Sequence, residues 1–176
     1  MYELLRQCSW PEEEFKRRYN ELGRHCFCRF EELKALEWLE GSMGVAIPSS
    51  LRTFYEEIGF GGFASPDEDS TGQRVFVVSP WALAELYLKM HESWRATPLE
   101  NACRRLVDGE PDYPYHHLAD EGEMPCIHLM ERIYWVMRPL SDKPNAVYLQ
   151  RGGDLLCEDF AELMKLLHED PMCGWF

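Results

Sequence analysis

Ile47-Pro48-Ser49-Ser50-Leu51-Arg52-Thr53-Phe54-Tyr55-Glu56-Glu57-Ile58-Gly59 is the stretch from which the fold is read most directly. Proline fixes φ near the helical value and lacks the N–H that a first turn would leave unpaired, so Pro48 suits a helix start. Leu51, Phe54, Tyr55 and Ile58 recur at three- and four-residue spacing and so share one apolar face. Gly59 is a stop signal, and Gly59-Phe60-Gly61-Gly62-Phe63 reads as a flexible turn between aromatics.

Upstream of this helix, Ser9-Trp10-Pro11-Glu12 has the Ser-x-x-Glu form of a capping box. Phe15, Tyr19 and Leu22 follow at helical spacing, which predicts a first helix of about three turns ended by Gly23. A second helix is predicted over residues 29–40, with Phe30, Leu33, Leu36 and Leu39 inward and Gly41 and Gly44 as stops.

Downstream, residues 65–73 read as an acidic loop, and Val75-Phe76-Val77-Val78 as a short apolar strand. Ser79-Pro80 then opens a helix with Leu83, Leu86, Tyr87 and Met90 inward. Residues 95–123 hold a weak helical signal over 99–107 followed by a polar stretch with Pro111, Pro114 and Gly122, read as loop. Four β-prone runs come next, at 126–129, 133–137, 146–149 and 155–157, and a meander joins them most simply. Asp159-Phe160 opens a closing helix whose Phe160, Leu163, Met164 and Leu167 can cover a sheet. The fold class is α+β: a mostly antiparallel central sheet with helices at the N-terminal side and a C-terminal helix packed on it.

Composition narrows the function. Hydrophobic residues are 45% of the chain and aromatics 13%, enough core material for a packed globule without disulfide or metal. No apolar run approaches the ~20 residues that cross a bilayer, and the N-terminus lacks a signal-peptide pattern, so a cytoplasmic protein with no membrane role is expected. Seven Cys, an odd number not framed as pairs, suit reduced thiols. The net charge of −13 argues against direct binding of nucleic acid, whose affinity comes from Lys and Arg releasing counterions. It favours a basic protein partner, or serves solubility alone.

The order of these segments resembles the SUKH superfamily, which includes yeast cell-wall synthesis regulators and bacterial toxin immunity proteins. The residues that carry the resemblance are Ile47, Pro48, Leu51, Phe54, Tyr55, Gly59, Gly61 and Gly62, then Ala146-Val147-Tyr148 and Asp159-Phe160 with Leu163 and Leu166-Leu167. It covers about residues 30–168 of a single domain spanning 1–176, with residues 1–28 as an extra N-terminal helix and 95–124 as an insertion. The resemblance implies a domain without catalytic residues that grips a toxin and blocks it, or a regulatory or scaffold module with no toxin partner.

Asp67-Glu68-Asp69-Ser70-Thr71-Gly72 begins like a calcium loop, but the twelfth position is Val78 where a bidentate Glu is required, so it reads as a solvated loop. His25-Cys26-Phe27-Cys28 lacks the Cys-x-x-Cys knuckle and a second pair at zinc spacing; Cys103, Cys126, Cys157 or Cys173 could complete a metal site only by folding nearby, and core thiols are the simpler reading. His116-His117 near Asp112, Asp120 and Glu121 has no nucleophile beside it. No catalytic site, cofactor or metal is therefore expected. The acidic clusters Asp67, Glu68 and Asp69, then Asp108, Glu110 and Asp112, then Asp120, Glu121 and Glu123 are the candidate partner-binding residues, because loops on a rigid scaffold are where binding residues tend to lie. Trp175-Phe176 either docks on the domain or contacts a partner.

Overall fold

The structure, a computed structural model, describes residues 2–19, 24–64, 74–88, 122–130, 133–171 and 173. Eight strands form one sheet in sequence order: β1 (Ser9–Trp10), β2 (Cys26–Cys28), β3 (Phe60–Ala64), β4 (Arg74–Val77), β5 (Met124–Met130), β6 (Ile133–Met137), β7 (Val147–Leu149) and β8 (Leu155–Cys157). Only the β1–β2 pair is parallel; each later neighbour is antiparallel, so β2 to β8 is a meander interrupted by helices. Among the described residues the helices are α1 (Glu3–Arg6), α2 (Glu12–Arg18), α3 (Leu33–Met43), α4 (Ser49–Glu57), α5 (Pro80–Leu88) and α6 (Phe160–Glu169). The expected α+β class is what the chain adopts.

Register places two rows of side chains on opposite faces of this sheet. Phe27, Gly61, Val77, Ile127 and Trp135 align on one face, and Cys26, Gly62, Phe76, His128 and Tyr134 on the other. α4 and α6 cover the first: Phe54 meets Phe27 at 5.6 Å between ring centroids and Phe160 at 5.7 Å. Tyr19, just after α2, stacks on Phe76 of the second row, and α5 packs against β5 and α3. Period-two alternation with both faces covered explains why the strands read as apolar runs.

The sequence reading is corrected at its glycines. Phe60 to Ala64 is not a turn but β3, buried along its whole length. Gly59 and Gly61 have φ of 108° and 147°, and a Cβ at Gly59 would lie 1.8 Å from the Cys28 carbonyl oxygen. One at Gly61 would lie 2.3 Å from that of Cys26. These glycines let β2 approach β3, which is the strand-interior use of glycine rather than its turn use.

The N-terminal expectation also fails in detail. Ser9 does not cap a helix; it sits in β1, and its hydroxyl donates to the Ile58 carbonyl at 2.6 Å. Pro11 occupies the position before α2, which ends at Arg18, so the three-turn helix is shorter than read and is preceded by α1 and β1. Parallel pairing of β1 with β2 explains the difference, because Ser9 and Trp10 align with Phe27 and Cys28. α3 likewise starts later and runs through Gly41 to a left-handed Gly44. Leu33 in its first turn is exposed, and Phe30, near Phe60, is the residue buried there.

Candidate functional site

Most of the residues behind the resemblance are buried, and several meet at one structural joint. Ile47, Leu51, Phe54, Tyr55, Val147 and Phe160 are buried, as are Pro48, Gly59, Gly61 and Gly62. Pro48 precedes α4 with φ −48° and ψ 136° and has no side-chain oxygen to cap the first turn. Asn145 supplies the missing acceptor from across the chain: its Oδ1 accepts the Ser50 N–H at 3.1 Å, and its backbone carbonyl accepts the Phe160 N–H at 2.8 Å. The starts of α4 and α6 are thereby tied to the turn before β7. The Tyr2 hydroxyl adds a bond to the Ser50 carbonyl at 2.7 Å, and that of Tyr55 one to the Val78 carbonyl at 3.0 Å. Burial pushes both phenols above the usual tyrosine range, so each remains a donor.

Asn145 was missed in the sequence reading. A lone Asn before a strand looks like an ordinary turn residue. Its link to Ser50 spans so many residues that no local pattern announces it. At α6 the cap is local and was legible, since Asp159 Oδ1 accepts the Ala161 N–H at 2.6 Å.

Of the candidate partner-binding residues, Asp67, Glu68, Asp69, Asp108, Glu110, Asp112, Asp120 and Glu121 lie outside the described residues. Glu123 is described, and its placement corrects the reading of a solvated loop residue: it is only 4% exposed. Its carboxylate accepts the Arg151 N–H at 2.8 Å and the Gly152 N–H at 2.9 Å, and pairs with Arg138 at 3.1 Å. Arg151 and Gly152 both have positive φ, at 60° and 71°. The two consecutive N–H groups of this turn point at one anion, here the chain's own carboxylate. Arg138 is held in turn by the Gly153 carbonyl and lies 4.1 Å over the half-buried Tyr148 ring. Glu123 therefore fastens the β7–β8 turn to β5.

The His25 to Cys28 cluster becomes wall and core. Cys26 and Cys28 are buried in β2, and His25 Nδ1 accepts the Ala64 N–H at 3.2 Å. That fixes the proton on Nε2, which points at the His168 carbonyl at 3.2 Å. Among the described residues the cysteines are free thiols, no group of three or more His, Cys, Asp or Glu is placed to hold a metal, and no helix is long and apolar enough to cross a membrane. Burial raises the Cys126 thiol far above its ordinary range, and the half-buried Cys8 less so. Cys103, His116, His117, Trp175 and Phe176 lie outside the described residues.

A feature that the sequence did not signal is a half-open cavity of about 310 Å³ beside β1 and β2. Trp10, Arg18, Arg24 and His25 contribute to its walls, with Gln7 and Cys8 at the α1 side. The Arg18 guanidinium lies 4.2 Å over the Trp10 ring and its Nε donates to Glu14.

No family model matches the chain, and no curated protein or solved structure matches it either.

Proposed function

We propose that this chain is a protein-binding domain of the SUKH kind, and specifically an immunity protein that neutralises a basic toxin by direct contact. The single observation that supports this reading is the fate of the residues on which the resemblance rests. Most of them are buried, several in the joint around Phe54 and Asn145, so they act as scaffold and leave recognition to other surface residues. A net charge of −13 supplies the attraction. The acidic residues at 67–69, 108–112 and 120–121 are the contact sites, whereas Glu123 is not, because its carboxylate is already engaged by the β7–β8 turn.

A scaffold steers a basic partner through long-range charge and fixes it through a few buried contacts. Binding is therefore fast and salt-sensitive. The test is co-expression with the protein encoded immediately upstream, followed by co-purification and growth rescue. Recovery of a stable complex and of growth is expected; neither binding nor rescue would refute that pairing.

A further inference from the structure

The cavity between α1, α2 and β2 has a chemistry opposite to that of the whole molecule. The chain carries a net charge of −13, yet the described residues that line this space include two guanidiniums, an indole and an imidazole, with Glu14 reaching one of the guanidiniums from α2. Arg18 is stacked on Trp10 and hydrogen-bonded to Glu14, so its plane is fixed before any ligand arrives. A guanidinium presents forked N–H groups that match a carboxylate or a phosphate, and prior immobilisation lowers the ordering cost of using them. His25 contributes a flat wall rather than a ligand, because both its nitrogens are engaged, with Ala64 and with the His168 carbonyl. Trp10 is half-buried and supplies the apolar surface.

We infer that this cavity binds a small aromatic oxyanion, its phosphate or carboxylate held by Arg18 and Arg24 and its ring seated against the Trp10–His25 walls. A volume of about 310 Å³ lies at the small end of ligand sites. Long-range charge cannot produce such binding, since the molecule as a whole repels anions; attraction must come from the local guanidiniums. The residues lining it are different from the acidic residues proposed for the protein partner, so either idea can fail alone.

The experiment follows the Trp10 indole N–H resonance, assigned through Trp10→Phe, in the full chain titrated with AMP and with benzoate. Adenosine and benzamide are the neutral counterparts. At least one anion is expected to bind saturably and at least about tenfold more tightly than its neutral counterpart, and which one does so distinguishes phosphate from carboxylate. Arg24→Ala should weaken that binding about tenfold and Arg24→Lys less, because lysine keeps the charge without the fork. Gln7→Trp, at an exposed position on the rim, should abolish it by filling the space. Thermal melting checks that each variant is folded. No shift with either anion up to about 10 mM, equal binding of anion and neutral counterpart, or an Arg24→Ala affinity equal to wild type would each overturn the inference.

Discussion

Two joints hold this sheet, and they work by different physics. At the first, Phe54 brings α4 against β2, α6 and Tyr2 through aromatic edge contacts, with centroids 5.0 to 5.7 Å apart. At the second, Glu123 holds the β7–β8 turn through a buried carboxylate, two backbone N–H groups and Arg138. Apolar burial is non-directional and tolerates small shifts. The buried carboxylate does not: its desolvation is offset only while every partner stays in place. The first joint therefore sets how stable the domain is, and the second sets where one turn sits.

The largest expected effect follows from the first joint. Phe54→Ala should cost about 3–5 kcal/mol in chemical denaturation, because it removes an aromatic shared by several elements and leaves a cavity. A loss under about 1 kcal/mol would show that α4 is not clamped as described.

Next comes the second joint. Glu123→Ala should cost about 2–4 kcal/mol, since two N–H groups lose their acceptor and Arg138 loses its counter-charge. Replacing Glu123 and Arg138 together by Leu and Met should cost less than the sum of the single changes, and strict additivity would mean that the pair does not act as a unit. Amide exchange should rise around Arg151 and Gly152 and not in α4, which separates a local knot from a global one.

Asn145→Ala tests the polar part of the first joint and should cost about 1–2 kcal/mol, the loss of a helix cap supplied from a distance. Asn145→Asp should recover part of it, because a carboxylate at a helix N-terminus is also an acceptor.

The smallest effect lies at α2. Hydrogen bonds from Arg17 and then Arg18 hold the Glu14 carboxyl down to about 2. A depressed carboxylate stabilises the folded state above its ordinary value of about 4.5, and that contribution is lost as pH falls toward about 2. The Tm difference between wild type and Glu14→Gln should thus be small at neutral pH, because the pair is surface-exposed, and vanish in acid.

The same contrast explains what was legible in the sequence. α4, α6, β6 and β8 were read within a residue or two, since periodicity reports which faces meet a core. β3 was misread because a Gly-Gly between aromatics signals a turn locally, and only the presence of β2 shows that it is a close approach. Ser9 failed in the same way: its hydroxyl serves Ile58, far along the chain. Asn145, Glu123 and the arginine-lined cavity were invisible, since each depends on partners brought together by the whole fold. The candidate acidic residues were legible as charge, but apart from Glu123 they fall outside the described residues.

Under the proposed function, buried joints build the molecule and the acidic residues at 67–69, 108–112 and 120–121 recognise a partner. The most direct measurement compares wild type with Asp67→Lys, Glu68→Lys and Asp69→Lys combined, and separately with Glu123→Gln, for co-purification with the protein encoded upstream and for Tm. The loop triple should lose the partner with Tm unchanged, and Glu123→Gln should lower Tm while retaining it. Full retention by the triple, or loss of the partner by a still-folded Glu123→Gln, would contradict that division.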